Sequence, residues 1–259
     1  AMPSRELRQS VIAEAKSIVI KMGTQLLTTE DGGVDLTFME AVAAQVAELQ
    51  QRGVNVILVS SGAAGVGRRT LNLAERPTDI AAIQAVAAVG QSGLMSRWYD
   101  VFKPHGLPVA QMRLTRADFA DRDRYLNIRN CIGELHGLGA IPIINENDTV
   151  SVEEIRFGDN DVLAALVTNA VRADLLVMLT VVDAERSPMG SGGMETKLEA
   201  ARIVTDAGEL AVIAGGREPE VIRRLFAAEP LGTVFVPAEQ KLSSRHRWIG
   251  MTARPIGTL

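Results

Sequence analysis

The chain has 259 residues, 47% of them hydrophobic, and a formal net charge of -4. That length fits one large domain or two small ones, with enough apolar residues to fill a core without disulfides or structural metal. The charge argues against a dedicated nucleic-acid binder, and a single cysteine, Cys131, excludes an intrachain disulfide. Cys131 sits in a helix-like segment and reads as a small buried hydrophobe. No apolar run reaches membrane-span length, and Glu14, Lys16 and Lys21 interrupt any signal-peptide core, so a soluble cytoplasmic protein is expected.

In chain order, the spacing predicts strands over Ser17–Lys21, Val54–Ser60, Pro108–Leu114, Ala140–Asn145, Leu175–Thr180, Ala211–Ala214 and Thr233–Val236. Most are apolar along their whole length, as strands are when helices cover both faces of a parallel sheet. Helical patterns lie between them at Leu36–Gln51, Asp79–Phe102, Asp123–His136, Asp159–Val171, Met194–Ala207 and Pro219–Ala227. Phe38, Val42, Val46 and Leu49 form one apolar helix face. The alternation predicts an α/β fold with a mostly parallel, doubly wound sheet. Ligands on such folds gather at the carboxyl ends of the strands.

Glycine-rich segments stand at those ends. Lys21-Met22-Gly23-Thr24 closes the first strand, where a buried ammonium is costly unless an anion meets it. Ser60-Ser61-Gly62-Ala63-Ala64-Gly65-Val66-Gly67 follows the second strand and matches neither a Walker A loop nor a dinucleotide fingerprint. Asn145-Glu146-Asn147-Asp148 follows the fourth, and Gly158-Asp159-Asn160-Asp161 precedes a helix; Asp159 there reads first as a cap. Gly190-Ser191-Gly192-Gly193-Met194-Glu195-Thr196-Lys197 opens another helix and supplies a second lysine. Loops of this kind bind anions through backbone N–H groups. His105, His136 and His246 are too scattered for a zinc site, so no protein-held metal is expected, and magnesium arriving with a nucleotide suits the carboxylates better. The polar stretch Asp118–Arg129 reads as a solvated helix start laced with ion pairs.

On these residues the chain resembles the amino acid kinase family, and within it the glutamate 5-kinases. The matching stretches run in family order from Ser17 to Trp248: Ile18–Thr24, Val59–Ala63, Ala88–Ser92, Leu114–Asp118, Ile144–Asp148, Phe157–Asp161 and Gly192–Lys197. The Asn145–Asp148 and Gly158–Asp161 blocks favour glutamate 5-kinase over acetylglutamate kinase, aspartokinase or uridylate kinase.

The resemblance implies transfer of a phosphoryl group from ATP, with Mg2+, to the γ-carboxylate of L-glutamate at the start of proline synthesis. It implies Lys21 and Lys197 as the cations at the transferring group, with Asp161 orienting them. It assigns Ser61, Gly62, Ala63, Asp148 and Asn160 to glutamate, and Lys21, Gly23, Thr180, Gly192, Gly193, Met194, Thr196 and Lys197 to the nucleotide. It also implies a homodimer or homotetramer inhibited by proline, with Arg116–Arg129 and Glu153–Gly158 as places for that control. In domain terms, residues 1–16 form an N-terminal extension and 17–250 the kinase domain. Residues 251–259 resemble the start of a linker to a PUA domain, and Arg245 and Arg247 alone make a poor nucleic-acid site.

One stretch departs from the family. Val181 stands where an acid is usual, and only Ala184–Met189 separate Asp183 from Gly190, where relatives have a few dozen residues. Either the segment is deleted or residues are missing from the numbering. The shortening puts the adenine contacts in question more than the phosphoryl chemistry. It also supports a competing expectation, a silent amino-acid-binding module; a sister reading keeps the kinase but changes the acceptor, and is told apart at Asp148 and Asn160.

Overall fold

Short β-branched runs become strands here because both of their faces meet helices. The computed structural model describes residues 11–29, 33–151, 160–181 and 193–237. Its strands are β1 (Ser17–Met22), β2 (Asn55–Ser60), β3 (Val109–Leu114), β4 (Ile141–Glu146), β5 (Leu175–Thr180), β6 (Leu210–Gly215) and β7 (Thr233–Phe235). They form one sheet in the order β3-β4-β2-β1-β5-β6-β7, parallel except for the last pair. All seven expected strands are therefore present, each within two residues of its expected limits.

The helices are α1 (Thr24–Leu27), α2 (Leu36–Gln51), α3 (Ala63–Thr70), α4 (Ile80–Phe102), α5 (Arg116–Ala120), α6 (Arg122–Gly137), α7 (Asn160–Val171), α8 (Met194–Asp206) and α9 (Val221–Phe226). Two cores flank the sheet. One joins α2, α4 and α9 to Ile18, Ile20, Val56, Leu58 and Val177; the other joins α6, α7 and α8 to Val19, Ile57, Val59, Leu176 and Met178. Strand periodicity decides which residue serves which core. Lys21 shares the face of Val19 and is thereby turned toward α7, a helix buried along nearly its whole length.

The short helices α1, α3 and α5 escaped the periodicity reading. Gly65 and Gly67 lower helix propensity in α3, and tertiary packing overrides it: a β-carbon at Gly67 would collide with the Val86 carbonyl, and one at Gly90 with the Ala63 carbonyl. Thus α3 and α4 cross backbone against backbone. The polar stretch is a helix start with ion pairs, as expected: Thr115 and Asp118 make a capping box, and Arg124 pairs with Asp118 at 2.9 Å.

Cys131 corrects an expectation. It is exposed, because the buried stripe of α6 runs through Tyr125, Ile128 and Ile132 and leaves residue 131 beside it. No helix among the described residues is long and apolar enough to cross a membrane.

Candidate functional site

The carboxyl ends of β2, β1 and β5 lie side by side, with Met22 opposite Ser60 on one flank and Leu179 on the other. Lys21 therefore stands at the middle of the sheet edge, 4% exposed. Across from it, Asp161 in the first turn of α7 is fully buried. Its Oδ1 lies 2.7 Å from Lys21 Nζ, and its Oδ2 lies 3.1 Å from Lys197 Nζ on α8. Thr196 donates its hydroxyl to the same Oδ2 at 2.8 Å.

Burial alone would push the Asp161 carboxyl up, but Lys21, Lys197 and the Thr196 hydroxyl outweigh it and hold it below the ordinary carboxylate value. Burial pushes Lys197 down from the ordinary lysine value; Asp161 opposes that shift and the charge of Lys21 adds to it. A buried cluster with one more ammonium than carboxylate favours an arriving anion. Gly23 begins α1 beside it, and a β-carbon there would come within 3.7 Å of Lys21 Nζ.

On one side of this centre, Gly62 caps α3 with φ +109°, a conformation glycine adopts without strain. Ala63 follows as the first, buried residue of that helix. Ser61 Oγ accepts from Asn160 Nδ2 at 2.7 Å, and Asn160 Nδ2 also donates to Asn145 Oδ1 at 3.0 Å. Asp148 is 5% exposed, and its carboxylate pairs with Arg113 of β3 at 3.3 Å. Arg113 also donates to the Glu146 carbonyl at 3.1 Å.

On the other side, Thr180 ends β5 beside Gly215 of β6. Gly193 precedes α8, whose first residue, Met194, is 55% exposed. Arg217, just past β6, ties this side to the start of α2 through Asp35 at 2.8 Å and to α1 through the Gln25 carbonyl at 2.9 Å.

The expected catalytic residues Lys21, Asp161 and Lys197 are thus gathered on one carboxylate, and Ser61 meets Asn160 directly. Asp148 is held by Arg113. Gly192, together with Glu153–Gly158 and residues 238–259, lies outside the described residues. Sequence reasoning assigned no role to Gln91, Trp98 or Arg113, and passed over Asn145 within its polar block. The run Ala88–Ser92 was the available signal for the first of these. Among the described residues no group of three or more His, Cys, Asp or Glu stands close enough to hold a metal ion.

Residues 16–184 match the model of the amino acid kinase family. A glutamate 5-kinase of Desulfotalea psychrophila is 42% identical over 286 residues, spanning 98% of this chain and 76% of that protein. One from a Nostoc species is 44% identical over 278 residues, spanning 94% of this chain and 74% of its own. An alignment longer than the chain itself means that these relatives carry residues absent here. The family match stops at residue 184, inside the stretch where a shortening is expected. The solved structure of an isopentenyl phosphate kinase superposes with a TM-score of 0.57 at 16% identity, over 85% of this chain and all of that one, which is a likeness of fold.

Proposed function

Since the chain belongs to the amino acid kinase family, we propose that it transfers the γ-phosphoryl group of ATP to the γ-carboxylate of L-glutamate. The product is L-glutamyl 5-phosphate, and the reaction is the first step of proline synthesis. The observation that carries this reading is the meeting of two buried lysines on one carboxylate, one on each oxygen, next to the Ser61–Asn160 pair.

An acceptor carboxylate and a triphosphate repel each other, so the chemistry needs cations at the transferring group and little else. A γ-carboxylate oxygen forms the new bond to phosphorus while the bridge to ADP breaks; no proton moves. Lys21 and Lys197 offset the charge on the phosphoryl oxygens, and Gly23 and Gly62 offer backbone N–H groups to them. Asp161 acts as the holder of both lysines, since a carboxylate nucleophile leaves a base nothing to abstract. Ser61, Gly62, Ala63, Asp148 and Asn160 take glutamate, with Asp148 suited to its ammonium. Thr180, Gly193, Met194, Thr196 and Lys197 lie toward the nucleotide, with Gly192 assigned there from its motif. On this reading magnesium arrives with the nucleotide and is a part of the substrate.

The same reading carries a cytoplasmic setting, a homo-oligomer and inhibition by proline. A kinase domain over residues 17–250 with a short tail completes it. Light scattering and proline titration of the turnover test those parts. The main test is ADP release with ATP, Mg2+ and L-glutamate, with the acyl phosphate trapped by hydroxylamine. Glutamate-dependent hydroxamate is expected. Glutamate binding without turnover would instead favour the silent module, and turnover with a different amino acid would reassign the acceptor.

A further inference from the structure

The run Ala88–Ser92 lies in the middle of α4, away from the lysines, and the proposed reaction gives it no task. Gly90 lets α4 approach α3 closely, because a β-carbon there would collide with the Ala63 carbonyl. That contact brings the next residue, Gln91, beneath the end of β4, where it is 4% exposed. A buried amide has to be hydrogen-bonded, and it has a direction. Gln91 Oε1 accepts from Asn145 Nδ2 at 2.8 Å. With its nitrogen turned to Gln91, Asn145 presents its oxygen to Asn160 and accepts from Asn160 Nδ2 at 3.0 Å.

Asn160 Nδ2 has two hydrogens; the second goes to Ser61 Oγ at 2.7 Å, while Asn160 Oδ1 accepts from the Glu146 amide at 3.3 Å. An amide nitrogen only donates. Ser61 Oγ is therefore an acceptor in this contact, and its own proton is left to point away from Asn160. About two turns along α4, Trp98 donates to Ser60 Oγ at 2.9 Å and fixes the neighbouring residue from the same helix.

We propose that Gln91 is a positioning residue for the acceptor site: through Asn145 and Asn160 it fixes Ser61 as a hydrogen-bond donor toward the carboxylate of the acceptor. The proposal rests on the glutamate reading above. It explains why a glutamine, rather than an apolar residue, occupies the buried face of α4 at this place. Without an acceptor at Gln91, the Asn145 amide keeps only its bond from Asn160 to hold its direction. Turned over, it would set nitrogen against nitrogen at Asn160 and loosen the amide that donates to Ser61.

The test measures kcat and both KM values in the full chain for Gln91→Met, Gln91→Glu, Asn145→Ala and the double variant Gln91→Met/Asn145→Ala. Gln91→Met should raise the KM for glutamate about tenfold, as loss of a buried partner does, and leave the KM for ATP within about twofold. Gln91→Glu should stay within about threefold of wild type, because a carboxyl oxygen accepts the same hydrogen. The double variant should be no worse than Asn145→Ala alone. A glutamate KM unchanged in Gln91→Met, equal damage in Gln91→Glu, or additive losses in the double variant would each overturn the proposal. Should Gln91→Met fail to fold, Gln91→Glu decides alone: wild-type-like KM supports the role, and a rise of about tenfold or more refutes it. Wild-type turnover with glutamate, read in the same assay, judges the acceptor reading separately.

Discussion

The two sides of the sheet edge are built differently. On the β2–β4 side, Ser61, Asn145, Asn160 and Gln91 are all nine-tenths buried or more and bound to one another side chain to side chain. On the β5–β6 side, beyond the buried centre on Asp161 to which Thr196 and Lys197 belong, the residues assigned to the nucleotide are a strand end, an exposed glycine and an exposed methionine. A preorganised network recognises a small acceptor closely, because each amide is fixed before the ligand arrives. A rim of backbone and half-exposed side chains makes weaker demands on its surroundings.

Breaking the junction between the sides should have the largest effect. Lys21→Ala and Lys197→Ala should each cost about 3 kcal/mol of barrier, roughly two orders of magnitude in kcat, the size of losing one preorganised donor. Equal losses in kcat for the two variants, measured with saturating ATP and glutamate, would place both lysines at the same transferring group. Near wild-type turnover in either one would remove that lysine from the chemistry.

A pair of glycine substitutions sharpens the contrast. Gly90→Ala forces α3 and α4 apart and should destabilise the protein by about 1–3 kcal/mol, with weakened glutamate binding. Gly193→Ala, at a position with φ −71° and open space around its β-carbon, should change stability by less than about 0.5 kcal/mol. Denaturant melts of both variants check this. Equal destabilisation would mean that the two sides are packed alike.

The pH dependence should be smaller but has a definite sign. Lys197 is held below its ordinary value of 10.5, so kcat/KM should fall on the alkaline side before an ordinary lysine would deprotonate. In stability the sign is the opposite: between its lowered pKa and 10.5 the unfolded chain binds the proton that the native chain does not. That contribution therefore rises with pH across the window. Asp161 is held below 3.8, and its contribution is complete above that value and lost as pH falls through the native pKa. A kcat/KM profile flat to the ordinary lysine range would contradict the Lys197 assignment.

Much of this was legible in the chain itself. Apolar runs of strand length located every strand, polar and glycine residues at strand ends singled out Lys21 and Ser61, where the strands of a parallel sheet share one edge, and the polar block before a helix singled out Asn160 and Asp161. The direction of the hydrogen bonds was not legible. Gln91 and Asn145 are 54 residues apart, and nothing local says which amide oxygen faces which nitrogen. Arg113 was missed because it sits inside an ordinary strand run, and only the β3–β4 register brings it to the Glu146 carbonyl and Asp148. Helix α3 was missed because its glycines serve a backbone crossing with α4 that no single segment reveals.

The central claim is that Asp161 works by holding the two lysines in place and takes no proton. The most direct measurement is the single-turnover rate of Asp161→Asn with ATP and L-glutamate, alongside the glutamate dissociation constant of the same variant. The account predicts a rate at least about a hundredfold lower, with glutamate affinity nearly unchanged, because the acceptor network does not run through Asp161. A single-turnover rate close to wild type would show that the lysines find their positions without it, and the account would be wrong.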